Sequence, residues 1–365
     1  MIIMAKKITG ISRDLIIHPG ETIGDILIER GITQAELAAR TGVTPAYVCN
    51  VIAGKKDISA KFAFALEYAL GISKSFWINL QANYDAELLE ACEAETITDE
   101  EREARNNLKD IVKYLRETRE MPAREGVDDS ILSLRKSLQI SNIANLKEMV
   151  PGGALRMSSR SKVDPYVMGA WIRLCQIAGE KRNVSTKFDT ENIDVLVSEI
   201  KNIMCGDGES IQRSLTDLFA EYGIVFSVVR NFRGAPVHGF ISKKNDGTYQ
   251  MVLTIRGSFA DIFWFSLFHE LGHIVNGDVN SSINFIDYDG KADIEVNADK
   301  FAGARLIDPS AYETFIRKAD FSLSAIRSFA ESQHIKPYIV IGRLQHEKII
   351  KYDQFSSEKV RYKWA

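Results

Sequence analysis

The sequence predicts an α+β protein in two parts, an all-α module near the N-terminus and a larger, mainly helical domain with a small β-sheet. Three observations lead there. The segment 12–86 is a series of short helical patterns punctuated by Gly31, Gly42, Gly54 and Gly71. Two β-rich runs, GIVFSVV (223–229) and YQMVLTI (249–255), follow helical stretches around 165–178 and 191–203. The length of 365 residues also exceeds one typical domain.

Composition excludes several classes. With 45% apolar and 26% charged residues and a formal net charge of -3, nothing global announces a nucleic-acid or membrane partner, so any DNA-binding face must be local. Cys49, Cys92, Cys175 and Cys205 form no CxxC pair, which argues against a disulfide framework or a thiolate zinc site. The opening MIIMAKKITG is too short an apolar piece for a signal peptide, and no apolar run approaches the roughly 18–20 residues of a membrane span. A cytoplasmic location is the expectation. No period of about 20–50 residues repeats, which excludes solenoids and propellers.

Within the first module, Gln34 to Ala53 reads QAELAARTGVTPAYVCNVIA and meets the packing demands of a helix-turn-helix of the lambda-repressor-like kind. Leu37, Val48 and Val51 are apolar where two helices face each other, and Ala38 is small where they approach. Gly42 sits at the turn, where positive φ is wanted. Thr44 and Pro45 supply an N-cap and first position for the second helix. The outward residues Ala46, Tyr47 and Asn50 are candidates for base edges, Gln34, Lys55 and Lys56 for phosphates or the groove edge, and Thr44 is a further DNA-binding candidate. Residues 1–70 are scarcely more basic than acidic, so the expected partner is a two-part double-stranded DNA operator bound by a homodimer. The competing reading is a helical hairpin used for protein contacts.

The stretch 87–128 is rich in charge and helix formers and reads as a helical linker; Leu108, Ile111, Val112 and Leu115 give it one apolar face. MPAREGVDDS near its end reads as a break. Residues 129–365 make the second domain.

That domain contains FWFSLFHELGHIVNG (263–277), which puts ionisable groups into a greasy run. His269-Glu270-Leu271-Gly272-His273 is HExxH; on a helix its two histidines point the same way and reach one metal ion. Glu270, about 100° round the helix, can touch the metal's water without being a ligand. Two histidines are too few for a catalytic zinc site, and ADIEVNADKFAGARLIDP downstream reads as a second helix ending before Pro309. On it Glu295 and Asp299 are spaced i, i+4, so one can bind metal while the other holds a histidine from behind. This is the ExxxD arrangement of gluzincin metallopeptidases. Glu295 is the expected third ligand, with Asp293 and Asp299 as rivals. The implied chemistry is metal-assisted hydrolysis: Glu270 takes a proton from water whose pKa zinc lowers toward about 7, and a peptide carbonyl is attacked. Manganese or iron could use the same ligands. His238 and Arg256 are candidate oxyanion donors. His334 and His346 read as structural, and His18 has no visible metal partner.

The run from HPGE through FWINLQANYD resembles the HigA-type antitoxin repressors. FWFSLFHELGH, ExxADxFA and IKPYIVIGRLQHEKII resemble the ImmA/IrrE zinc metallopeptidases, which are similar to gluzincins in their core. That resemblance implies His269 and His273 as ligands, Glu270 as catalytic base and Glu295 as third ligand. Relatives often carry a second acidic residue two positions after the ligand glutamate, where this chain has Asn297. Several such peptidases cleave helix-turn-helix repressors to switch on stress or mobile-element genes. The resemblances together imply a DNA-binding regulator fused to an endopeptidase acting on a repressor, an antitoxin or its own 87–128 segment, with a toxin as a further partner. The alternative is a non-catalytic antitoxin-like repressor whose metal domain senses a ligand or toxin.

Overall fold

Caps and glycines cut the N-terminal residues into five described helices, α1 (Pro19–Arg30), α2 (Gln34–Thr41), α3 (Pro45–Ile52), α4 (Ala60–Leu70) and α5 (Lys74–Cys92). The computed structural model describes residues 15–150, 163–180, 182, 184–206, 211–255, 257–279, 285–286 and 292–363. Thr33, Thr44, Ser59 and Ser73 each accept a hydrogen bond from a first-turn backbone N–H of the helix that follows. Gly31 and Gly42 end α1 and α2 in left-handed backbone, which a side chain would resist. The core of this unit is Ile23, Leu37, Val48, Val51, Phe62, Leu66 and Trp77.

The HPGE opening acquires a packing role. His18 caps α1, its Nδ1 accepting from the Gly20 N–H at 2.9 Å, and its ring packs edge-on against Tyr84. A Cβ on Gly20 would overlap the Val51 carbonyl oxygen, so this glycine lets α1 lie directly on α3. Gln81, buried on α5, accepts from the Ile58 N–H at 2.9 Å and donates to Asp85 at 2.8 Å, tying the end of the five-helix set to the loop after α3.

The chain divides into compact units at Asp99/Glu100. The predicted linker 87–128 is therefore split, and the sequence-based boundary at 128 falls inside the second unit. Its latter half is α6 (Asp99–Asn107) and α7 (Lys109–Glu117), whose buried Ala104, Leu108, Ile111, Val112 and Leu115 give it a core face. MPAREGVDDS turns into α8 (Val127–Ser137). Glu101 is fully buried, and Arg135 on α8 grips it through two donors at 2.9 and 2.6 Å while the Ile143 N–H donates at 3.1 Å.

Beyond lie α9 (Pro165–Glu180), α10 (Ile193–Cys205) and α11 (Ile211–Glu221), the first two close to their predicted positions. The sheet comprises β1 (Ile224–Val228), β2 (Gly239–Lys243), β3 (Tyr249–Leu253) and β4 (Phe285–Ile286) in the order β1-β3-β2-β4. β1 runs parallel to β3 with Ile224 opposite Tyr249; β2 is antiparallel to both neighbours. β2 was not predicted: its GFISK is short and follows a Pro- and Gly-containing loop, and pairing with β3 and β4 makes it a strand. β3 leads into α12 (Ala260–Asn276), whose Trp264, Leu267, Phe268 and Leu271 are buried in the main core. Helices α13 (Ala292–Leu306), α14 (Pro309–Lys318), α15 (Leu323–Ser332) and α16 (Pro337–His346) complete the unit. Pro309 opens α14 behind its cap Asp308. No described helix is long and apolar enough to cross a membrane.

Arg135→Met removes two hydrogen bonds and a counter-charge from the buried Glu101 carboxylate and is expected to destabilise the second unit by about 3–5 kcal/mol, measured by denaturant unfolding.

Candidate functional site

The metal-ligand candidates meet because α12 and α13 pack closely. A Cβ on Gly272 would lie 3.1 Å from the Phe301 ring and 3.3 Å from the Ala298 Cα, so the glycine within HELGH permits the approach. Glu295 then falls beside both histidines. His269 Nε2 lies 3.1 Å from Glu295 Oε2 and 3.1 Å from His273 Nε2, and His273 Nε2 lies 3.7 Å from the same Glu295 oxygen. Ligands held about 2.0–2.2 Å from a tetrahedral zinc lie about 3.3–3.6 Å apart; two edges of this triangle are slightly shorter and one slightly longer, so small shifts would fit it to one face of a zinc tetrahedron.

The surroundings fit a cation. Nδ1–H of His269 donates to Asp299 at 2.9 Å and that of His273 to Asp278 at 2.9 Å, which turns both Nε2 atoms inward. Burial works to raise the Glu295 pKa, but hydrogen bonds to His269 and His273 and their charge outweigh it and hold it at about 2, so it is a carboxylate at ordinary pH. Its Oε1 is buried without a hydrogen-bond partner among the described residues. Four carboxylates, those of Glu270, Asp278, Glu295 and Asp299, thus crowd two imidazoles, a charge imbalance that a divalent ion relieves.

Glu270 is fully buried beneath β2. A Cβ on Gly239 would overlap its carboxylate, so Gly239 makes the room it occupies. His238 precedes that glycine and is half-buried, and its carbonyl accepts from the Thr254 N–H at 2.9 Å, which fixes its backbone just ahead of β2. Arg256 lies outside the described residues, as does the side chain of Asp293. Among the described residues Asp299 serves His269 from behind, on the side away from Nε2. His334 meets Asn202 at 2.7 Å, and His346 is exposed on α16.

Sequence reasoning missed Asp278, Gly239 and the part played by Gly272. Asp278 could have been found: Gly277 ends α12 with φ 77°, and the chain reverses so that the Asp278 N–H donates to His273 O at 3.0 Å. Gly239 could not, since its role depends on a strand crossing over the helix.

In the first unit Leu37, Ala38, Val48 and Val51 are buried, as the turn requires. Gln34, Thr44, Ala46, Asn50, Lys55 and Lys56 are exposed. Tyr47 is not free to extend: it is half-buried, edge-on to Phe62 at 5.0 Å, with the Lys56 ammonium 4.2 Å above its ring. Thr44 spends its hydroxyl on the Tyr47 N–H at 3.2 Å.

Residues 23–77 match the family model for helix-turn-helix domains. Virulence-associated protein A' of Dichelobacter nodosus is 44% identical over 69 residues, 19% of this chain and 60% of that protein's length. Two solved structures also align. One, described as an antidote protein of a plasmid maintenance system from Nostoc punctiforme, is 37% identical and matched over 22% of this chain and 87% of its own, with TM-score 0.21. The other, a HigA-family addiction-module antidote protein from Coxiella burnetii, is 26% identical over 22% and 95%, also with TM-score 0.21. The N-terminal unit contains a helix-turn-helix domain.

Zinc added to the full-length protein is expected to bind at about one ion per chain. Asp278→Ala should weaken that binding by roughly 10–100-fold in competition with a chromophoric chelator, because His273 loses its orienting acceptor.

Proposed function

We propose that the chain is a DNA-binding regulator fused to a zinc-dependent endopeptidase that hydrolyses a peptide bond in a repressor, an antitoxin or its own chain to relieve repression. The observation that carries the enzymatic half is the His269–His273–Glu295 cluster with Glu270 buried beside it. A sensor needs ligands only, whereas a glutamate next to the metal's water position is what hydrolysis requires.

Zinc suits two histidines and a carboxylate, and when bound it lowers the pKa of water and polarises a carbonyl. Glu270 accepts the proton of the attacking water and returns it to the leaving amine. Asp278 and Asp299 keep the imidazoles oriented. His238, beside Gly239, is the proposed donor to the developing oxyanion. Self-cleavage is less favoured in residues 101–117, since the buried face of α6 and α7 would have to open first.

The regulatory half rests on the helix-turn-helix match and on the exposed Gln34, Ala46, Asn50, Lys55 and Lys56. The DNA is proposed to be a duplex operator bound by a homodimer, and the antidote proteins similar to this module motivate a toxin as a further partner. Removing Lys55 and Lys56 together (both to Ala) should weaken binding across all sequences and reduce the log–log salt slope by about 2, whereas Asn50→Ala should relax preference at one base pair, a cost of about 1–3 kcal/mol. Fluorescence anisotropy on DNA upstream of the protein's own gene measures both.

Glu270→Gln should retain its zinc, lose peptide hydrolysis by about 10²–10⁴-fold and trap substrate from cell extract. Equal derepression by wild type and Glu270→Gln in cells would instead support the non-catalytic sensor.

A further inference from the structure

The apolar run of α12 is only partly consumed by the core. Trp264 and Phe268 are fully buried, yet Ile262 is 37% and Phe265 39% exposed on the same helix. Both line a cleft of about 640 Å³ between α12, α13, α16 and the segment from Tyr352 to Arg361. That volume is within the usual range for small-molecule sites, about 300–1,000 Å³.

The ionisable lining balances formally, Arg343, Lys359 and Arg361 against Asp261, Asp299 and Glu347, but the cations are unevenly hydrogen-bonded. Arg343 is engaged by Glu347 at 2.9 Å and stacks on Tyr312, and Asp299 is engaged by His269. Lys359 and Arg361 stand outside those contacts. The two cations flank the ring of Phe259, Lys359 Nζ at 4.8 Å and the Arg361 guanidinium at 4.2 Å from its centroid. Lys359 is only 10% exposed, and its nearest carboxylate, on Asp261, stands 3.9 Å away, beyond hydrogen-bond reach. Burial pushes the Asp261 carboxyl up, and Lys359 partly offsets it.

We propose that this cleft binds a small amphipathic carboxylate, its apolar body against Ile262 and Phe265 and its head group on Lys359 and Arg361. Asp299 lines the same cleft and supports His269 on the ring face away from Nε2, so occupancy is thermodynamically linked to the metal centre. The linkage rests on the zinc reading; the binding does not.

The test uses full-length protein and two probes of equal length, decanoate and 1-decanol, titrated by calorimetry. Decanoate should bind, and decanol roughly tenfold or more weakly. Gly303→Leu fills the cleft from α13, where an added Cβ meets nothing within 4 Å and loss of a helix-interior glycine favours the helix. It should abolish decanoate binding with no fall in melting temperature. Lys359→Met should equalise the two probes. Absence of decanoate binding, or unchanged binding in Gly303→Leu, overturns the site. Affinity that is the same in zinc-free and zinc-loaded protein overturns the linkage alone.

Discussion

The close contact of α12 with α13 at Gly272 is the constraint on which the second unit depends. A Cβ there would press on the Phe301 ring and the Ala298 backbone and ask α13 to give by a few tenths of an ångström, on the helix that carries Glu295 to His269 and His273. The approach also sets Asp299 behind His269, so one packing contact positions a ligand and an orienting acceptor together. Burying the two imidazoles and Glu270 beside the half-buried Glu295 is costly without a compensating ion, so the proposed metal and the packing geometry belong together.

The rest of the unit holds α12 in place. Trp264, Phe268 and Leu271 anchor its inner face in the core. The C-terminal segment grips its start: the Ala260 N–H donates to Val360 O at 3.0 Å, the Tyr362 N–H to Ser258 O at 2.7 Å, and the Trp264 indole to the Tyr362 hydroxyl at 2.9 Å. On the other side β2 crosses at Gly239, over Glu270. A site held by strand, helix and tail together has little freedom to drift from its working geometry.

The first unit uses glycine in the same two ways, for close approach at Gly20 and for left-handed turns at Gly31 and Gly42. Its hydroxyl caps do the remaining work of separating short helices. The buried Gln81 links the last helix to the loop after α3, so the segment beyond the turn of the helix-turn-helix belongs to the same cooperative structure.

Helical periodicity, caps and fixed spacings were legible without coordinates: the helix-turn-helix, α9, α10, α12, α13, both longer β-rich runs and the i, i+4 pairs His269/His273 and Glu295/Asp299. These are local properties, settled by residues within a turn or two of one another. The split of 87–128 between units, the strand β2, the partial burial of Tyr47, and the roles of Asp278 and Gly239 were not legible. Each depends on what lies opposite in space: α8 across from Glu101, β3 beside β2, Phe62 beneath Tyr47, β2 over Glu270. A chain records what each residue can do, but a neighbour distant in sequence decides which of those capacities is used, because burial and pairing energies exist only after the chain has closed on itself.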